Sequence, residues 1–128
     1  MAFTPYSYES GQPSPFAYLK ASAGTYSIGL CAALSDGTAA KSVNPDYVIM
    51  SDAGTVAAGT VLPAIHITDD VIFEAPLAEA SSALKPGSLV DVAADGLSIA
   101  NTATNKNVQI IDMNGTAAGD LCRCRFVG

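Results

Sequence analysis

The stretch VLPAIHITDDVIFEA, residues 61–75, decides the fold. Its first seven residues alternate between two sets of side chains, and a period of two is typical of a β-strand. Pro63 cannot donate to a ladder, so this strand is expected at a sheet edge or beside a bulge. The Asp69-Asp70 pair then forms a short acidic turn before a second apolar run. The whole stretch therefore predicts a β-hairpin.

The same pattern continues on both sides of this stretch. Apolar or alternating runs are bounded by turn signals such as Asp95-Gly96, and they cover residues 26–34, 47–50, 88–93, 97–100, 108–111 and 121–127. About eight short strands, with turns every eight to twelve residues or so, indicate a small β-barrel or β-sandwich. The chain is therefore predicted to be mainly all-β.

One segment departs from the strand pattern. Residues 77–85 read LAEASSALK, a helix-forming composition that lies between Pro76 and Pro86 and ends at the stop signal Pro86-Gly87. We therefore expect one short helix of about two or three turns here.

The N-terminal segment, residues 1–24, differs in composition from the rest. It holds five of the nine aromatic residues, namely Phe3, Tyr6, Tyr8, Phe16 and Tyr18. Frequent Pro and Gly argue against a helix, and the aromatic rings argue against a solvated tail. Two interpretations remain open: an extended arm that lies on another protein, or rings that cap the end of the chain's own domain. The first predicts that residues 25–128 stay folded without residues 1–18, and the second predicts unfolding.

Length and composition limit the class of protein. The chain has 128 residues and a mass of 13.0 kDa, which suits one compact domain. Hydrophobic residues make up 49% and charged residues 14%, against about 25% charged in typical proteins. Such a small apolar chain is expected to place part of its surface against other protein. Its longest charge-free runs, 21–35 and 53–68, are shorter than the ~20 residues of a membrane helix, so no span is expected.

The charge argues against two classes of partner, and the cysteine content indicates the compartment. The net charge is −6, and the six basic residues never cluster, so neither nucleic acid nor an anionic membrane is an expected partner. The first residues lack the pattern of a secretory signal, and three cysteines suit a reducing compartment. We therefore expect synthesis in a cytoplasm.

No motif for catalysis, metal binding or nucleotide binding is found. His66 is the sole histidine, and no metal-ligand spacing surrounds it. The acidic residues Asp69, Asp70 and Glu74 lack the spacing of a calcium loop and are expected to form a solvated turn. The glycines match neither phosphate-binding motif. The sequence therefore predicts no enzyme, no cofactor and no metal site.

The last strand, LCRCRFV at 121–127, has two distinct faces. Cys122 and Cys124 share one face with Phe126 and are expected in the core. Arg123 and Arg125 share the other face. They are expected either to pair with Asp or Glu on neighbouring strands or to form ion pairs with a neighbouring subunit.

Four segments carry a family resemblance: GTYSIGL (24–30), PDYVI (45–49), LKPGSLV (84–90) and AGDLCRCRF (118–126). Together with the aromatic arm, they resemble the small head decoration, or cement, proteins of tailed bacteriophages over most of the chain. The resemblance implies a structural protein on the exterior of the virion. It would bind the outside of the expanded capsid where major capsid subunits meet, often as a homotrimer, and stabilise the shell.

In that family the N-terminal arm commonly contributes to capsid contact. The resemblance therefore implies contact roles for the five arm aromatics, with Arg123 and Arg125 as candidate subunit contacts. Two other classes of protein are alternatives: a carbohydrate-binding or adhesin module, which would group aromatics on one sheet face, and a small hydrolase or lyase, which would need converging titratable groups. The first is kept as the alternative.

Overall fold

The computed structural model describes residues 2–13 and 15–127, and β-strands supply all the regular secondary structure of those residues. The prediction of an all-β chain is confirmed. The strands are β1 (Thr4–Tyr8), β2 (Ala17–Lys20), β3 (Gly24–Tyr26), β4 (Cys31–Ser35), β5 (Thr38–Lys41), β6 (Tyr47–Ile49), β7 (Gly54–Val56), β8 (Val61–His66), β9 (Val71–Pro76), β10 (Leu89–Val90), β11 (Val108–Met113) and β12 (Leu121–Phe126).

The strands form two five-stranded sheets and one two-stranded ribbon. The first sheet has the order β1-β9-β12-β11-β10, the second has β2-β8-β6-β4-β5, and β3 pairs with β7. Neighbouring strands are antiparallel throughout. The second sheet curves until Ala21, just past β2, makes an isolated bridge to Ala39 in β5. The sheets nevertheless do not form the closed barrel that was one of the two expectations.

The predicted hairpin at 61–75 is wrong, because its two strands belong to different sheets. β8 lies between β2 and β6 in the second sheet, whereas β9 lies between β1 and β12 in the first. Each strand already has a neighbour on both sides, so neither offers an edge to the other. The short connection after His66 therefore crosses between the sheets.

The predicted helix at 77–85 is also wrong. Pro76 ends β9, and the residues after it form bends, turns and one isolated bridge. Their backbone N–H groups bond to distant segments: Leu77 donates to Asp120, Ala78 to Ile99 and Ser81 to Thr116, at 2.9–3.0 Å. A segment this short is marginal as a helix, and these long-range hydrogen bonds replace the helical ones.

Two apolar clusters form the core. The first joins both five-stranded sheets, because Cys31 and Val48 of the second sheet pack among residues of the first. The second lies on the other face of the second sheet and is covered in part by the ribbon, through Tyr26 and Val56. The part of the chain that the structure describes contains no helix with the length and hydrophobicity of a membrane span.

Gly29 lies where the N-terminal residues pack against the chain between β3 and β4. Its φ is +89°, and a Cβ there would meet the Cβ of Ala2 and lie 2.8 Å from the carbonyl oxygen of Phe3. Gly59 has a similar φ of +90° but open space around it. The two glycines thus share the same backbone conformation. They differ in the steric contact that an added Cβ would make.

This difference gives a matched prediction. Gly59→Ala is expected to cost about 1 kcal/mol, from left-handed strain alone. Gly29→Ala is expected to cost about 2–3 kcal/mol, because overpacking against Ala2 and Phe3 adds to that strain. Urea denaturation followed by circular dichroism measures both. Equal losses would show that the N-terminal residues do not hold this position in solution.

Candidate interaction surface

The five aromatic residues of the N-terminal segment are divided between core and surface. Phe3 is 1% exposed, and Tyr8 is partly buried against the first apolar cluster. In contrast Tyr6, Phe16 and Tyr18 are 51%, 48% and 70% exposed. Only these last three of the five predicted contact aromatics therefore present a large side-chain surface to a partner.

Phe3 is an anchor of the core. Its ring centroid lies 5.5 Å from that of Phe126 and 6.4 Å from that of Phe73. Phe73 and Phe126 in turn meet edge to face at 5.5 Å. Three rings in contact form a compact aromatic group, so in the single folded chain the Phe3 ring packs against its own domain.

Arg123 lies on the outer face of the first sheet and is held from three sides. Its guanidinium carbon is 4.0 Å from the centroid of the Tyr6 ring. Its Nη1 lies 3.2 Å from Asp112 Oδ2, and its Nε lies 3.7 Å from Glu74 Oε2. Glu74 and Asp112 are the cross-strand neighbours of Arg123 on β9 and β11. The expectation of cross-strand pairing is confirmed for this arginine.

Arg125 is paired within the chain as well. Its Nη1 donates to Glu9 Oε1 at 2.7 Å. Both arginines remain about one-third exposed, so a contact of Arg123 or Arg125 with a neighbouring subunit stays a prediction.

The acidic loop before β9 has a structural role that the sequence did not indicate. The carboxylate of Asp70 accepts hydrogen bonds from the backbone N–H and the hydroxyl of Ser10, at 2.7 and 2.8 Å, and the Asp70 carbonyl accepts one from Glu9 N–H at 2.8 Å. Asp70 thereby fastens the chain just after β1. No local pattern reveals this contact, because sixty residues separate Ser10 from Asp70.

An apolar patch follows the β2 edge of the second sheet. Tyr18 lies opposite Pro63, and Lys20 lies opposite Val61, which is 54% exposed. Phe16 directly precedes β2, and alternation along an extended chain places it on the same side as Tyr18. We call Phe16, Tyr18, Val61 and Pro63 the β2 patch. Val61 is not one of the predicted contact residues, although it begins the alternating run that predicts this strand.

The backbone of β2 is open on the side away from β8. Ala21 N–H donates to Thr60 C=O at 2.8 Å, across to the chain preceding β8. Hydrogen-bonding direction alternates along an antiparallel strand. The backbone N–H and C=O groups of Ala17 and Leu19 therefore also point toward β8, whereas those of Tyr18 and Lys20 point away from it. The next outward residue, Ser22, donates to Ala39 at 2.9 Å. The parallel bridge between Ala21 and Ala39 also places β5 against the Lys20 carbonyl, so the open part of the edge ends before Lys20 C=O.

This alternation also explains Pro63. An edge position or a bulge was expected, but β8 is an interior strand. The backbone groups of Pro63 point away from β2, and its carbonyl accepts a hydrogen bond from Met50 N–H at 2.9 Å. Ala64 pairs with Ile49, the last residue of β6, so Pro63 lies just past the end of that strand. Its missing N–H interrupts no β6 ladder bond.

The remaining candidate groups have structural surroundings. His66 packs against Tyr47, with ring centroids 5.1 Å apart. Cys31, Cys122 and Cys124 are buried free thiols, as expected for the last two. Burial raises the pKa of Cys122 to about 11 and also raises the pKa of Cys31 and Cys124. Within residues 2–13 and 15–127, no group of three or more His, Cys, Asp or Glu residues is placed to hold a metal ion.

Comparison with known proteins gives no relative: no protein-family model, no curated protein and no solved structure matches this chain.

Proposed function

We propose that this protein is a structural virion protein that binds the outer surface of an expanded bacteriophage capsid and stabilises it. The observation that carries the proposal is the position of the N-terminal segment. That segment supplies an edge strand to each five-stranded sheet, β1 and β2, and bears the exposed rings of Tyr6, Phe16 and Tyr18.

Edge strands and exposed aromatics suit binding to another protein. An open edge supplies main-chain hydrogen bonds, and aromatic side chains act as anchors. Many copies on a lattice each need only modest affinity, since their contacts add up. A protein that binds only the mature shell raises the free energy of dismantling it. The role requires no catalytic group, metal or nucleotide.

Two finer points belong to the same proposal. The first apolar cluster contains residues of both five-stranded sheets, which supports a β-sandwich as the body of the domain. The low charge content, 14%, supports self-association on the capsid.

The proposal is tested by co-sedimentation of the purified protein with expanded, DNA-free phage heads and with unexpanded proheads. Saturable binding to expanded heads alone is the expected result. Phe16→Ser is expected to weaken that binding about tenfold, the effect of losing an aromatic anchor. Leu89→Ser, at a similarly exposed apolar residue on β10, is the matched control and is expected to bind normally.

Absence of binding to either particle would overturn the capsid proposal and favour the alternative, a carbohydrate-binding or adhesin-like module. One observation favours that alternative: Phe16, directly before β2, and Tyr18, within β2, lie on one side of the chain, a spacing that suits stacking on sugar rings. A glycan array probed with the wild type and with Phe16→Ser would then test it.

A further inference from the structure

The connection between β11 and β12, residues 114–120, carries the dipeptide Asn114-Gly115, which has no part in the proposed function. Glycine follows asparagine only here. The residues that follow the other four asparagines are Pro45, Thr102, Lys106 and Val108. Proline has no N–H, and the other three carry a side chain. Because glycine has no Cβ, its nitrogen approaches the side-chain amide of the preceding asparagine with little steric hindrance.

The atoms of this dipeptide are free to react. The Asn114 side chain is exposed. The turn is held on either side of Gly115, because Asn114 N–H donates to Leu121 C=O and Ala117 N–H donates to Asp120 Oδ2, both at 3.0 Å. Within residues 2–13 and 15–127, the Gly115 N–H between them donates to no acceptor. The fold therefore leaves the Gly115 nitrogen unbonded.

Packing explains why glycine occupies position 115. A Cβ there would clash with Asp120 Oδ2, the same oxygen that accepts the hydrogen bond from Ala117 N–H. A larger residue would thus displace the carboxylate that holds the turn. The fold thereby keeps glycine directly after Asn114.

Two other exposed asparagines have different surroundings. The N–H that follows Asn105 belongs to Lys106, and it donates to Asp91 Oδ1 at 2.9 Å. Asn101 is followed by Thr102, whose branched side chain crowds the approach to its nitrogen. Exposure is therefore shared by all three asparagines, whereas an unbonded and unhindered following nitrogen is found at Asn114.

We propose that Asn114 is a spontaneous modification site, which deamidates through a cyclic imide. The Gly115 nitrogen loses its proton to solvent and attacks the Asn114 Cγ. The new C–N bond closes a ring, and the amide nitrogen takes up a proton and leaves as ammonia. Water then hydrolyses one of the imide C–N bonds. Cleavage on the side-chain side gives aspartate, and cleavage on the main-chain side gives isoaspartate. The sum is one water consumed and one ammonia released, without oxidation or reduction.

Both products change the β11–β12 connection. A neutral amide becomes a carboxylate that is ionised at neutral pH, so one added charge takes the chain from −6 to −7. Isoaspartate also lengthens the main chain at position 114, next to the bond from Asn114 N–H to Leu121 C=O. We therefore expect the isoaspartate form to unfold at a lower urea concentration than the aspartate form.

The test is incubation of the folded full chain at mildly alkaline pH, which favours loss of the Gly115 proton. Isoelectric focusing and peptide mapping by mass spectrometry follow the products. We expect an acidic species with one added negative charge, with the change located at Asn114. Asn114→Gln should lose this species, because its longer side chain must close a larger ring. Asn105→Gln, at an exposed asparagine followed by a bonded N–H, is the matched control and should form the species at the wild-type rate.

A second comparison separates the fold from the dipeptide. The same incubation is carried out on the chain unfolded in guanidinium chloride. Asn114 is expected to react at comparable rates in both states, whereas Asn105 should react more slowly in the folded chain. Reaction of Asn114 only after unfolding, or conversion no faster than at Asn101 and Asn105 in the folded chain, would overturn the proposal. Since no phage particle is used, either result is independent of the capsid proposal.

Discussion

Phe3→Ala is expected to lower the free energy of unfolding by about 3–5 kcal/mol, the usual cost of removing a buried aromatic ring. The side chain is 1% exposed and contacts the rings of Phe73 and Phe126. Its removal leaves a cavity in the first apolar cluster, which the closely packed neighbours fill only in part. Urea denaturation followed by far-ultraviolet circular dichroism measures the loss, since the chain has no Trp to report it.

Tyr6→Ala is the matched control in the same segment. Tyr6 is 51% exposed, and its main contact is the Arg123 guanidinium, so the expected loss is about 0.5–1 kcal/mol. Equal small losses for both variants would mean that β1 is detached in solution and that Phe3 does not pack in the core.

This pair of variants decides between the two interpretations of residues 1–24. Phe3 packs in the core, β1 pairs with β9, and β2 pairs with β8. Removal of residues 1–18 therefore deletes β1 and half of β2, so we expect the truncated chain to be less stable. Single substitutions at Phe16 or Tyr18 are a cleaner probe of binding, because these side chains are largely exposed.

The sequence predicted well where local pattern determines structure. In β12 the alternation of Cys and Arg assigned each side chain to its face, and the cysteines are buried as expected. The strand is six residues long and has a neighbour on each side, so the period of two alone determines which face is buried. The same alternation predicted the cross-strand ion pairs of Arg123. The partner of Arg125 was not predicted, because Glu9 lies just past β1, which is not a neighbour of β12.

The failures share one physical cause, which is contact between distant segments. The apolar runs around Asp69-Asp70 are strands, but whether they pair with each other depends on strands far away in the sequence. The run at 26–34 was expected as one strand, yet it is divided at Gly29, where the chain takes a positive φ beside Ala2 and Phe3. How much of the β2 edge is open likewise depends on β5, which is distant in sequence and pairs with the chain through the Ala21–Ala39 bridge.

Asp91 is a buried carboxylate that sequence reasoning did not single out. It is 5% exposed, and it accepts hydrogen bonds from the Thr102 hydroxyl at 2.7 Å and from three successive backbone N–H groups, those of residues 104, 105 and 106, at 2.7–3.0 Å. One side chain thus satisfies the backbone of the whole turn before β11. The turn includes Lys106, which has a positive φ of 54°.

Asp91→Ala is expected to lower the free energy of unfolding by about 3–4 kcal/mol, because several buried donors lose a charged acceptor at once. Asp91→Asn keeps the size but replaces one acceptor oxygen with an NH2 group that faces donors, so a loss of about 2 kcal/mol is expected. Asp36→Asn, in the exposed β4–β5 turn, is the control and should change stability little. A loss for Asp91→Asn as small as that of the control would show that the turn does not depend on the carboxylate.

The dependence on pH separates the charge of Asp91 from its shape. Burial raises the pKa of Asp91, but the hydrogen bonds from Thr102 and the turn backbone outweigh burial and hold that pKa below its ordinary value. A carboxylate with a lowered folded-state pKa contributes stability above its unfolded pKa, about 3.9, and loses that contribution as the pH falls through the folded value. The wild type and Asp91→Asn should therefore differ most near neutral pH and converge in acid below about pH 4. A difference that stays constant down to pH 2 would assign the effect to altered packing instead of charge.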